Sequence, residues 1–264
     1  MRSALRGLEP RNADLVAKHL VTAGNLVDDD PELALAHARA ARDRASRVAA
    51  VREAVGVAAY HAGDYAEAAR ELRAYRRMSG DEAYRAVLAD CERALGRPEV
   101  ALRLVTEALA EHPEPDEAAE LRLVEAGARR DLGEAAAARR VLEDALGGRP
   151  DPGRLAGADP ARIRLAAAYA DLLEAEGHAE LADEWREAVL EADPEGATGA
   201  LERPDVEFSE LEESSELDDE TGDVPGEDVT HDDVTGEGVI GDDVAEDDIE
   251  AEVAELLGEE PPER

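Results

Sequence analysis

VREAVGVAAYHAGDYAEAARELRAYRRM, running from Val51 to Met78, is the stretch that decides the fold. Small and apolar residues recur at helical spacing as far as Ala62. Gly63-Asp64-Tyr65 then interrupts, and a second helical pattern starts at once. Gly63 suits the left-handed conformation that ends a helix, because it has no Cβ to clash. Asp64 suits the start of the next helix, where its carboxylate can accept from an otherwise unpaired N–H. The expectation is a helix–turn–helix in which Ala58, Ala59, Ala68 and Ala69 let two helices approach closely.

Outward from this stretch the unit recurs. On its N-terminal side, Asn12 reads as a helix cap before a stripe of Leu15, Val16, His19, Leu20 and Ala23, broken by Asp28-Asp29-Asp30-Pro31. Ala34, Ala38 and Ala41 follow on a second helix expected to reach Arg47; this pair lacks the turn glycine and reads as a divergent unit or a cap. On the C-terminal side, a third pair is expected from Asp81 to His112 with Gly96 at its turn, and a fourth from Pro115 to Leu146 with Gly133 at its turn. Residues 147–160 hold four Gly and three Pro and read as an exposed loop. A fifth pair begins near Pro160, turns at Gly177 and ends at Asp193-Pro194. The turn glycines step by 33, 37 and 44 residues, the growth being loop insertion.

Gly56, Gly63, Tyr65 and Ala68 stand where tetratricopeptide repeats carry a small residue, the turn glycine, an aromatic and a characteristic alanine; Ala101, Ala138 and Ala182 take the place of Ala68 in later units. With steps near the family period of about 34, residues 12–194 resemble the tetratricopeptide repeat family. The resemblance implies an all-α solenoid of about five hairpins over residues 1–194. Its concave face would be made by the first helix of each pair, where such folds bind peptides. In the family, groove-facing sites precede the turn glycine by about three, six and ten residues. Carried over, the nearest row is Tyr60, Arg93, Arg130 and Glu174. The second is Val57, Asp90, Gly127 and Asp171, and the third Glu53, Ala86, Leu123 and Ala167. Tyr60, Asp90, Arg93, Arg130, Asp171 and Glu174 are thus the implied partner-binding set, with Arg93 and Arg130 either gripping a carboxylate bidentately or paired with Asp90 and Asp131. The Lys/Asn carboxylate clamp of chaperone-binding relatives is not reproduced.

Charge divides the chain. Residues 201–264 hold 27 Asp and Glu against two Arg, a net of −25, which leaves −12 of the total −37 for residues 1–200. A helical body over 1–194 and an acidic, low-complexity appendage over 195–264 are expected, the latter too poor in apolar residues to offset chain entropy. One part of it differs. AEDDIEAEVAELL, Ala245 to Leu257, sets Ile249, Val253, Leu256 and Leu257 on one helical face. A helix of about 13 residues is marginal alone in water, so this segment is expected to fold when it finds a groove. Lys18 is the only lysine, and Arg with abundant Ala and Gly points to a GC-rich, actinobacterial genome. The acidity argues against nucleic-acid backbones and anionic membranes as partners. No apolar run is long enough to span a bilayer and the N-terminus has no signal-peptide core, so a cytoplasmic, bacterial protein is expected.

The sequence carries no motif of catalysis. Its six histidines form no HExxH, and GxxxxGK[ST], GxGxxG and GxSxG do not occur. Cys91, the one cysteine, excludes an internal disulfide and reads as a buried structural thiol. Tyr169 and Trp185 read as packing. No catalytic residue, metal or cofactor is expected. The expected function is a protein–protein interaction adaptor or scaffold whose groove binds a peptide segment of another protein, or its own tail. Two alternatives stand beside it: the tail acting as a polyanion mimic toward a basic protein, and an enzyme or small-molecule binder using 147–160 as a lid.

Overall fold

The structure is a computed structural model that describes residues 5–200. Among them are ten α-helices and no strand, so the body is all-α. In chain order they are α1 (Pro10–Leu26), α2 (Pro31–Ala45), α3 (Ala49–His61), α4 (Tyr65–Ser79), α5 (Arg85–Ala94), α6 (Pro98–Ala110), α7 (Pro115–Asp131), α8 (Ala135–Ala145), α9 (Pro160–Ala175) and α10 (Ala179–Ala192). Each packs on the next, and the odd-numbered helices also touch one another: α1 on α3, α5 on α7, α7 on α9. No two even-numbered helices pack to that extent, so direct contact between pairs runs mainly through the odd helices.

Four of the bends between paired helices are the same bend. Gly63, Gly96, Gly133 and Gly177 have φ of +75°, +73°, +75° and +85°, and each N–H donates to the carbonyl three residues back, on Tyr60, Arg93, Arg130 and Glu174. After the last three, the next N–H reaches five residues back, to Glu92, Arg129 and Leu173, completing the left-handed helix ending that satisfies the final carbonyls. Open space surrounds these glycines, so the demand for glycine there is conformational and not steric. Asp64 then starts α4, its Oδ1 accepting from Glu67 N at 3.0 Å.

Within a pair the demand is steric. A Cβ on Gly56 would lie 2.6 Å from Leu72 Cγ, and Ala58, Ala59, Ala68 and Ala69 are all buried at the same α3–α4 contact. Ala89, Ala101 and Ala108, Ala126 and Ala138, and Ala170 and Ala182 are likewise buried in the later pairs. On the outer side, where the even helices stand apart, long ion pairs bridge the gap. Glu67 of α4 takes Arg39 and Arg42 of α2, each at 2.5 Å, and Glu71 takes Arg52 of α3 at 2.6 Å. Both glutamates are almost fully buried. Burial works to raise the Glu67 pKa, but hydrogen bonds from Arg39 and Arg42 outweigh it and hold the carboxyl below its ordinary value.

Three helix starts and ends differ from the sequence reading. Glu9, not Asn12, caps α1: Pro10 presets the first helical φ, Glu9 accepts from Asn12 N, and the Asn12 side chain instead donates to Arg44 O at 3.2 Å. The helix after Pro31 ends at Ala45, short of Arg47, because Val48 is extended ahead of α3. The third pair starts at Arg85 and not Asp81, because Asp81 Oδ1 accepts from Ala83 N in a turn and Tyr84 follows with φ of +65°. The 147–160 segment is also not simply an exposed loop. Leu155 is only 1% exposed, inserted into the core of the last four helices beside a 3-10 turn at Pro152–Arg154. No helix among the described residues is long and apolar enough to cross a membrane.

The packing leads to two predictions. Gly56→Ala should lower the unfolding free energy by about 1–3 kcal/mol through overpacking against Leu72. Gly24→Ala, on α1 with nothing within 4 Å of the added carbon, should instead raise it by about 0.5–1 kcal/mol; urea unfolding measures both. The second concerns His19 and His37, whose Nδ1 atoms lie 3.1 Å apart, buried between α1 and α2. Burial, then the charges of His37 and Arg44, push His19 down to about 4 from 6.5. A group neutral in the fold and protonated when unfolded stabilises above about 6.5, and that contribution drains away as pH falls toward about 4. The urea midpoint should therefore drop across that window, above the range where most carboxylates titrate, and His19→Gln should flatten the drop.

Candidate functional site

The inner face is built from the last turns of the odd helices, because each left-handed glycine ending fixes where the preceding turn points. Tyr60, Arg93, Arg130 and Glu174 each stand three residues before such a glycine and lend it their carbonyl. Their side chains have different fates. Tyr60 donates its hydroxyl to Asp90 Oδ2 at 2.8 Å, and burial, then Asp90, push its phenol well above the usual range. Asp90 Oδ1 accepts from Arg93 Nε at 2.7 Å, and Arg93 Nη1 reaches Asp131 Oδ2 at 3.0 Å. A ladder Tyr60–Asp90–Arg93–Asp131 thereby ties α3 to α5 and α5 to α7. Burial alone would lower the Arg93 pKa; the two carboxylates raise it instead, so the guanidinium stays charged.

Gly127 leaves room for that ladder. A Cβ there would sit 3.3 Å from Arg93 Cδ and Nε, a tight contact with the arginine where it lies across α7. Arg93 is therefore a structural tie. Arg130 is different: it is exposed, and it makes no ion pair or hydrogen bond with a described side chain.

Beside the ladder lies a cleft of about 330 Å³, open to solvent along one side, between α7, α8 and α9. Leu123, Ala126, Ala138, Leu142, Ala168 and Leu172 give it an apolar lining. Its polar rim holds Tyr60, Asp90, Arg93, Glu120, Arg130 and Asp171. Five of the six expected partner-binding residues thus meet at one site. Glu174 does not line the cleft; it is exposed and pairs with Arg186 of α10, which also reaches Asp171 Oδ1 at 3.2 Å. Of the outer rows, Gly127 and Leu123 line the cleft, while Val57, Glu53, Ala86 and Ala167 do not; Glu53 accepts instead from the Tyr84 hydroxyl at 2.8 Å.

Sequence reasoning missed the floor and one rim pair. Ala138 and Leu142 come from a second helix, α8, which the repeat pattern assigns to the outer layer. The 147–160 insertion lies between α8 and α9, the two helices that flank this part of the cleft. Glu120 on the rim is held by Arg164 at 2.6 Å across 44 residues of sequence, a pairing that no spacing rule announces. A larger cavity of about 460 Å³ lies between α7 and α8 around Arg122, Glu125, Arg129 and Arg140. Arg122 and Arg129 are there committed to the buried Glu125 at 2.6 and 2.9 Å, as in the outer ion pairs of α4.

Cys91 is fully buried, and burial, then the Asp90 charge, push its thiol up to about 12. Tyr169 and Trp185 pack edge to face in the core with ring centroids 5.3 Å apart. Among the described residues no three His, Cys, Asp or Glu side chains come together as a metal site would require. Ile249, Val253, Leu256 and Leu257 lie outside the described residues.

The two arginines should separate cleanly in mutagenesis. Arg93→Met, which strips Asp90 and Asp131 of their shared cation, should cost about 1–3 kcal/mol of stability by urea unfolding. Arg130→Ala should leave the unfolding curve unchanged within error. No protein-family model, curated protein or solved structure matches this chain.

Proposed function

We propose that the chain is a non-catalytic adaptor of the tetratricopeptide type, a superhelical stack of five helical pairs whose concave face takes a peptide segment from another protein. Four equivalent glycine bends and an inner row of touching odd helices support the solenoid reading. The observation that carries the functional reading is the cleft beside Arg130. An apolar floor meets a rim on which Asp90, Arg93, Glu120 and Asp171 already have ionic partners, while Arg130 has none among the described side chains. Such a site receives an apolar side chain as an anchor and fixes its direction with one carboxylate on a guanidinium. It offers little to covalent chemistry: the thiol is buried and resists ionisation, and the rim carboxylates are held in ion pairs.

Because Arg93 is tied into the ladder, Arg130 is the position at which charge can be reversed without disturbing the fold. Arg130→Glu should reduce partner recovery in affinity capture from native cell extract by about tenfold, the scale of a single charge-assisted hydrogen bond. Leu123→Asp at the cleft should reduce it as well. Undiminished recovery with both variants folded would remove the groove as the binding site.

A further inference from the structure

We propose that the cleft between α7, α8 and α9 is filled by the protein's own residues 245–257 until a partner segment of similar chemistry displaces them. This rests on the reading of the concave face as a peptide site and names its resident occupant.

Three observations lead there. The first is the match of chemistry. Ile249, Val253, Leu256 and Leu257 fall on one helical face, within a 64-residue segment carrying 27 acids. The cleft asks for an apolar anchor accompanied by a carboxylate for Arg130, and AEDDIEAEVAELL supplies both within 13 residues. The second is where the described chain ends. Ala200 packs against the same hydrophobic cluster that contains Ala138, Leu142 and Leu172, the cleft floor. The acidic segment therefore leaves the body from the C-terminal core, the same core that supplies the cleft floor.

The third is reach. Forty-eight residues separate Ala200 from Ile249, a span of up to about 160 Å when fully extended. A tether of that length keeps the segment at an effective concentration on the order of 0.1–1 mM. A free-peptide Kd of about 10–100 μM then favours the occupied form about tenfold within the chain. The body's net −12 repels so acidic a segment, so the anchor has to be the apolar stripe, with Arg130 setting its direction. A partner must then present a similar stripe, and its apparent affinity is reduced by the fraction of chains already occupied.

The test uses the full chain with methyl-labelled leucines, following the Leu142 and Leu172 signals by NMR. Paired changes Ile249→Asp and Leu256→Asp should shift these signals, and Arg130→Glu should shift them in the same direction. Synthetic peptide 245–257 should bind the Ile249/Leu256 double variant at least about tenfold more tightly than the unaltered chain. Signals unmoved by the tail changes, or a peptide that binds both chains equally or neither, would overturn the proposal. Shifts that grow with protein concentration would also overturn it, because a second copy's tail would then be the occupant. If the tail results fail while Arg130→Glu still abolishes partner capture, the groove reading survives; if Arg130→Glu affects neither, both readings fall.

Discussion

Everything in the body depends on a backbone reversal that only glycine makes cheaply. At Gly63, Gly96, Gly133 and Gly177 the chain enters the left-handed region, ends one helix with its carbonyls satisfied and launches the next antiparallel to it. Since the four reversals share one geometry, the residues three positions before them are presented alike on successive helices. A shared row of positions is thus a consequence of four dihedral angles as much as of any packing between side chains.

Side-chain size then sets the spacing between helices. Within a pair, the packing residues are largely glycine and alanine, and at Gly56 not even a methyl group fits without displacing Leu72. Outside, the gap between α2 and α4 is bridged by arginine and glutamate, the longest charged side chains of either sign. Small residues draw the two helices of a pair together, while long ion pairs span the wider gap between pairs. The carboxylates Glu67 and Glu71 are buried, and their guanidinium partners compensate the desolvation. Removing one partner from such a cluster is far more damaging than its net contribution implies.

The same economy of partners shapes the face that carries the cleft. Charged groups are plentiful there, yet nearly all are spoken for: Asp90 by Tyr60 and Arg93, Glu120 by Arg164, Asp171 by Arg186. Residues that look equivalent by repeat position are therefore not equivalent in chemistry. Arg93 is part of the scaffold, while Arg130, one unit further on, is left facing solvent. The difference lies in the carboxylates within reach: Arg93 has Asp90 one turn before it and Asp131 across on α7.

The sequence by itself determined the all-helical class, the position of each bend and the faces on which the small residues fall. Those follow from local rules: a positive φ needs glycine, a helix start needs a cap, and a tight crossing needs alanine. That Tyr60, Asp90, Arg93, Arg130 and Asp171 share one side was implied by the resemblance to tetratricopeptide repeats, through their fixed distances before the turn glycines, and not by periodicity alone. Local rules erred by a few residues at helix starts, where Pro10 and the Asp81 turn outcompeted the expected caps. Only the tertiary structure decided which of the two arginines has ionic partners among the described residues, that Glu174 turns to Arg186, and that Leu155 fastens the long insertion into the core. It alone revealed the cleft floor, where Ala138 and Leu142 of α8 meet Leu123 of α7 and Leu172 of α9. Charge pairing and inter-helix spacing join residues up to 44 positions apart, and no periodicity along the chain encodes such distances.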